Sequence, residues 1–210
     1  IIAGIVYGVT HNKKDEQQEN KDISYQTVDM ITNIRLGISN FDSIHPYVTN
    51  NQEAIYIDQL IFEPLLSITE DYKVSECLAK EWSKIGDKTY VIKLNENIQW
   101  QDGSKFTAED VKFSVTKLQS QTKSVYYSNV KNIKDVEVVD ENTVRIELKQ
   151  TEPFFEYNLI FPIISSKQYK STSLNSNTIP LGTGQYKIAK IQIDKIELSK
   201  NENWRNIDTE

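Results

Sequence analysis

Residues 100–115 read WQDGSKFTAEDVKFSV, and the reading of this stretch decides the fold class. Asp102 and Gly103 are a turn signal, because glycine takes positive φ without a Cβ clash and an aspartate side chain bonds its own turn backbone. Thr107 stands where an N-cap belongs. Its hydroxyl can accept from the Asp110 amide, and Glu109 and Asp110 put negative charge on the positive end of a helix dipole. Phe106 just before the cap and Val111 beyond it have the spacing of a hydrophobic staple. Ala108, Val111, Val115 and Leu118 recur at helical spacing, so one face of the helix is expected to be buried. The pattern is a strand, a turn and an amphipathic helix, and by itself it supplies no chemistry.

Upstream, a strand-like run covers residues 27–41 and breaks at FDSIHPY, where Asp, Ser and Pro mark a loop. Residues 50–62 place Ala54, Ile57 and Ile61 on one helical face, and Pro64 ends the helix. KTYVIKL alternates as a strand, and NIQW is expected to be a second, short one. Downstream, DVEVVDENTVRIELKQ reads as a hairpin turning at residues 140–142. The stretch 154–161 is apolar and expected to be mostly buried, and SSKQYKSTSLNSNTIP to be an exposed loop. GTGQYKIAKIQIDKIELSKNENW closes the chain's pattern with two alternating strands. The class is α+β with much antiparallel sheet.

The chain has 210 residues, 38% hydrophobic and 26% charged, with a net charge of −6. It is long enough for one or two domains with true cores. Its basic residues are dispersed without runs or aromatic interleaving, which argues against nucleic acid as a partner. The single cysteine, Cys77, cannot form an internal disulfide and reads as a small buried residue rather than a reactive thiol. The two histidines, His11 and His45, lie far apart without ligand-type neighbours, so no metal site is expected, nor any cofactor. No Gly-x-Ser-x-Gly, P-loop or His-Glu-x-x-His pattern occurs, and no catalytic residue is assigned. The opening IIAGIVYGV is too short to span a bilayer, which takes about twenty residues. Followed by the polar run THNKKDEQQENKD, it reads as the remnant of a signal or anchor segment with a spacer leaving a membrane.

Several motifs, taken in order, resemble those of the family 5 extracellular solute-binding proteins, the peptide- and nickel-binding receptors of bacterial ABC importers. They are GISNFDSIHPY, IFEPLL, Leu78, Ala79 and Trp82 in CLAKEW, TYVIKL, the WQDG turn with the FTAEDV helix start, GTGQY from Gly182, and Asn201 to Trp204. Together they cover about Ile34 to Trp204. Gln101 stands where the family pattern carries His, and Gln185 where it carries Pro. The lipobox cysteine of a lipid-anchored receptor is missing from the N-terminal segment, so a transmembrane anchor or upstream sequence would replace it.

The resemblance implies a periplasmic-binding-protein-like class II fold. Here it would be a first lobe carrying an inserted accessory α/β subdomain, with the second lobe absent. The expected division is an anchor remnant and tether over residues 1–24, the first part of the lobe over 25–72, the accessory subdomain over 73–171 and the returning part over 172–210. Two lobes of such a receptor close on a ligand about a hinge, holding a peptide largely through its backbone. In relatives an acidic residue of the second lobe meets the ligand's amine. The candidate ligand contacts of this lobe are Ser39, Asn40 and Phe41 in the loop after the first strand, and Thr183 and Gly184 in the later turn. Partners implied are a peptide or other small ligand, ABC permease subunits, the missing C-terminal lobe and, through an N-terminal anchor, the outer face of the cell membrane. A ligand-sensing or pheromone-binding module of the same fold is the competing reading, and an enzyme the least favoured one.

Overall fold

The computed structural model describes residues 33–37, 42–174, 178–192 and 195–205. The described residues form three antiparallel sheets. Strand β1 (Asn33–Gly37) pairs with β9 (Lys195–Lys200), and β9 pairs with β8 (Tyr186–Ile191). The first and last described strands thus share one sheet, as the motif order predicts. A short hairpin joins β2 (Leu66–Ile68) to β3 (Val74–Glu76). The largest sheet runs in the order β4 (Ala79–Ile85), β5 (Thr89–Leu94), β7 (Thr143–Leu148), β6 (Ile133–Asp140).

Helix α1 (Gln52–Ile61) forms where the spacing predicts it. Asn51 caps it by accepting the Ala54 amide at 2.9 Å, and Ala54, Ile57 and Ile61 are buried against β8 among other elements. Helix α2 (Ala108–Gln119) begins at Thr107 and lies over β6 and β7. Phe106, Ala108, Val111, Val115 and Leu118 are all buried, so the helical periodicity was read on the right face. Two further helices, α3 (Tyr127–Val130) and α4 (Ser166–Tyr169), are single turns.

The strongest bonds at the start of α2 are made by Asp110 rather than by the Thr107 hydroxyl. The Asp110 carboxylate accepts the Thr107 amide at 3.0 Å, the Trp100 indole N–H at 3.3 Å and the Ser166 amide at 2.8 Å. The hydroxyl faces the Asp110 amide as the other half of a capping box, but that amide makes its closer bond, 3.0 Å, to the Thr107 carbonyl. One buried carboxylate therefore joins the turn, the helix start and α4.

Several expectations are corrected. NIQW is not a strand: its only pairing is an isolated bridge between Gln99 and Lys105, because the turn at residues 101–103 follows at once. Strand β4 was not expected, since the pattern AKEWSKI buries only Ala79 fully and half-buries Trp82, as an edge strand does. The stretch 154–161 is not uniformly buried. Phe155, Leu159 and Phe161 are inside while Phe154, Tyr157 and Ile160 are exposed, because a 3-10 turn over Phe155–Asn158 rotates successive side chains in and out. The Ser-rich stretch after Ile164 is not all exposed loop either: it carries α4 and buries Ser165, Tyr169 and Leu174.

Thr107→Ala is expected to cost about 1 kcal/mol, and Val111→Ala or Val115→Ala about 1–3 kcal/mol through lost buried methyls. Asp110→Ala should cost about 3 kcal/mol or more, because it strands three donors at once. Urea unfolding of the four variants measures the order. An Asp110→Ala midpoint at or above that of Thr107→Ala would remove the carboxylate from its joining role.

Candidate functional site

Three of the other signature motifs, IFEPLL, WQDG and Asn201–Trp204, meet at the strand entry at residues 182–186. The Gly184 amide donates to the Ile61 carbonyl at 2.8 Å, at the C-terminal end of α1. A Cβ at Gly182 would lie 1.8 Å from that carbonyl oxygen, and one at Gly184 would lie 2.6 Å from the Leu60 oxygen. Real Cβ atoms do not come so near, so both positions require glycine for close approach of two backbones. The sequence reading of a plain tight turn is corrected in this respect: contact, not a left-handed φ, selects these residues.

Gln101, the departure from the family's His, binds this segment from the other side. Its side-chain oxygen accepts the Gly182 amide at 3.1 Å, its side-chain N–H donates to the Tyr186 carbonyl at 2.8 Å, and its own amide donates to the Gly182 carbonyl at 3.0 Å. Asn201 completes the arrangement. Its side chain donates to the Gly184 carbonyl at 2.8 Å and its amide to the Gln185 carbonyl at 2.7 Å. Beyond it, the Arg205 guanidinium grips both Glu63 oxygens at 2.9 Å, and the Trp204 indole donates to the same carboxylate at 3.4 Å. Cys77 lies against Glu63, with its sulfur 3.8 Å from the carboxylate. Burial first, then the negative Glu63, pushes its thiol up to about 12, which suits an inert residue. It is half-buried rather than buried as expected, and its neighbours are the Glu63–Arg205 ion pair.

Of the candidate ligand contacts, Ser39, Asn40 and Phe41 lie outside the described residues. Thr183 and Gly184 are buried. Both backbone polar groups of Gly184 are bonded within the chain, whereas the Thr183 hydroxyl has no hydrogen-bond partner among the described residues. Gly37, at the end of β1, pairs with Lys195, while residues 183 and 184 lead into β8, whose Tyr186 pairs with Lys200.

Two more buried polar groups lie beside α1. His45 accepts the Tyr47 amide through Nδ1 at 3.1 Å, which leaves the proton on Nε2, and that atom has no partner among the described residues. Burial lowers its pKa to about 4, so the ring is neutral near pH 7. Asp58 is buried with Oδ2 likewise unpartnered. Burial, then the charge of Asp42, raises its pKa well above the ordinary carboxylate range. The sequence analysis missed Asp58, although its place four residues after Ala54 on the apolar face of α1 was a visible signal. Among the described residues no cluster of three metal-ligating side chains is formed.

A small sheet and one helix are locked together, and a larger sheet is built from the chain between the first and last described strands. The family model "Bacterial extracellular solute-binding proteins, family 5 Middle" matches residues 73–209. The glutathione-binding protein GsiB of Escherichia coli strain K12 is 30% identical over 155 residues, which is 71% of this chain and 30% of that protein. Among solved structures, NikZ of Campylobacter jejuni in complex with Ni(L-His) has a TM-score of 0.71 and 29% identity, covering 80% of this chain and 35% of that one. The oligopeptide-binding protein AppA of Bacillus subtilis, in complex with a nonapeptide, shares the fold at a TM-score of 0.67 and 20% identity, covering 76% of this chain and 34% of that one. The chain belongs to the family 5 bacterial extracellular solute-binding proteins, which are binding proteins and not enzymes. It spans about 30% of the length of the curated relatives it matches.

Gly182→Ala should prevent folding or cost more than about 3 kcal/mol, since the obstacle is backbone and cannot swing away, whereas Gln101→Ala should cost about 1–3 kcal/mol for the unpaired groups it leaves. Thermal unfolding of both variants checks this. The buried titrating groups make a second test. His45 takes up its proton more readily when unfolded, so its contribution to stability is present above about pH 6.5 and is lost as pH falls towards 4. Asp58 has the opposite sign: its raised pKa favours the fold at low pH and is lost as pH rises. Asp58→Asn should therefore stabilise the chain more at pH 8 than at pH 5, and a gain independent of pH would contradict the buried, protonated Asp58.

Proposed function

We propose that this chain is the N-terminal lobe of an extracytoplasmic solute-binding protein that captures oligopeptides for an ABC importer. The protein would work with permease subunits and be held at the outer face of the cell membrane through its N-terminal segment. The observation that carries the binding role is the family match over residues 73–209. The peptide class is supported by the 30% identical relative described as glutathione-binding, glutathione being a small peptide.

The ligand contacts we propose are Ser39, Asn40, Phe41, Thr183 and Gly184. Thr183 enters this proposal through its hydroxyl, which has no partner among the described residues, and Gly184 only as its neighbour, since its own amide and carbonyl are bonded within the chain. We also propose the division into lobe parts at 25–72 and 172–210 with an accessory subdomain over 73–171. It is supported by the position of the four-stranded sheet and α2 wholly between Ala79 and Leu148, and by the return of the chain to pair β9 with β1.

Calorimetry against a peptide library tests the function, using this 210-residue chain and the natural protein with its remaining sequence. The longer protein is expected to bind a peptide at micromolar strength. The single lobe, lacking contacts from the other side and a charged partner for the ligand's amine, should bind it about a thousandfold more weakly or not measurably. Tight binding of a nickel chelate with no peptide bound would replace the peptide reading. Micromolar peptide binding by the short chain would contradict the single-lobe reading.

A further inference from the structure

The core face of the four-stranded sheet is covered unevenly. Helix α2 lies over β6 and β7. Near β4 and β5 the cover is the segment 153–158, whose Phe155 ring packs against Tyr90 at 5.0 Å between centres. Beside that contact an open groove of about 410 Å³ remains, lined by Trp82, Tyr90, Pro153, Phe154, Lys84 and Glu156. Its size and aromatic lining are those of small-ligand sites. The Lys84 ammonium stands 5.9 Å from the centre of the Tyr90 ring, close enough for a cation–π contact.

Phe154 is the residue that folding does not account for. Its backbone is left-handed, with φ 58 and ψ 34, which is an outlier for a bulky side chain. Its ring is 72% exposed, so no burial offsets the strain, and glycine or asparagine would suit the backbone better. Tyr72 repeats the combination, with φ 61 and 82% exposure. Tyr157 links the two: its hydroxyl donates to the Tyr72 carbonyl at 3.1 Å, and its ring meets Phe154 edge-on at 6.4 Å. Tyr157 and Phe154 thus form an aromatic pair next to the groove, tied to the Tyr72 backbone. Strain held at exposed aromatic positions points to use by a ligand.

We propose that this groove binds a short peptide through an aromatic side chain, which rests among Trp82, Pro153 and Phe154. The one cation and one anion of the groove, Lys84 and Glu156, suit the carboxylate and amine of a short peptide. A polyanion would meet Glu156 without a cluster of lysines to hold it. The site is separate from Thr183 and Gly184 and does not rest on their role.

The test is an amide and indole NMR titration of the 210-residue chain with the free tripeptide Ala-Phe-Ala, against Ala-Ala-Ala. Ala-Phe-Ala should saturably shift the Trp82 indole and the Lys84, Phe154 and Glu156 amides, binding at least about tenfold more tightly than Ala-Ala-Ala. Phe154→Gly should abolish the shifts while keeping the remaining spectrum and an equal or higher thermal midpoint, since glycine relieves the backbone. Any of three results would overturn the proposal: no saturable shift at the groove, equal response to both peptides, or shifts that persist in Phe154→Gly. Groove signals that move on dilution of the free chain, with a dimer in sedimentation, would overturn it in favour of a second copy of this chain.

Discussion

The approach of residues 182–184 to the carbonyl end of α1 is the contact on which the rest of the molecule depends. Only residues without a Cβ let the Gly184 amide reach the Ile61 oxygen. Once that strand entry is seated, its other polar groups lie open to Gln101 and Asn201, which bond them from two more parts of the chain. The helix end, the turn after Trp100, the entry to β8 and the exit from β9 then form one bonded unit. Bringing such distant segments together costs chain entropy, but that cost rises only slowly with loop length. The large sheet between them is therefore carried without undoing the join.

Two carboxylates reinforce this unit, and both are shielded. Asp110 ties the start of α2 to Trp100 and to α4, and Glu63 ties the exit of α1 to Arg205. Removing one partner from such a group strands the others, which makes it structurally demanding. The ion pairs of the outer sheet face, Glu81 with Lys93, Glu137 with Arg145 and Glu147 with Lys134, are half exposed. Each of these contributes little; their use is to keep the open face of the sheet soluble and in register.

Backbone strain is distributed in an instructive way. Gly86, Gly103 and Asn97 take positive φ in ordinary turns, where such residues are at home. Phe154 and Tyr72 take it with large exposed rings. A chain otherwise consistent from local propensity to packing departs from that consistency here, and such departures concentrate at working surfaces.

Helix α2, the buried face of α1, the hairpin β6–β7 and the strand character of β8 and β9 were determined by the sequence alone, because caps, turns and periodicity are local signals. The ordered motifs likewise identified the family before any coordinates, although they belong to the structural lock and the sheets more than to a ligand site. Strand β4 was illegible because an edge strand with several charges lacks the alternation of an inner one. NIQW was over-read because its apolar residues serve the turn and core rather than a ladder. Only the tertiary structure decided why residues 182 and 184 are glycine, what Gln101 holds, and that Asp58 is buried with an unpartnered oxygen. Those facts depend on distances between segments far apart in the chain, such as the Ile61 oxygen and the site of a missing Cβ. No spacing in the sequence encodes such a distance.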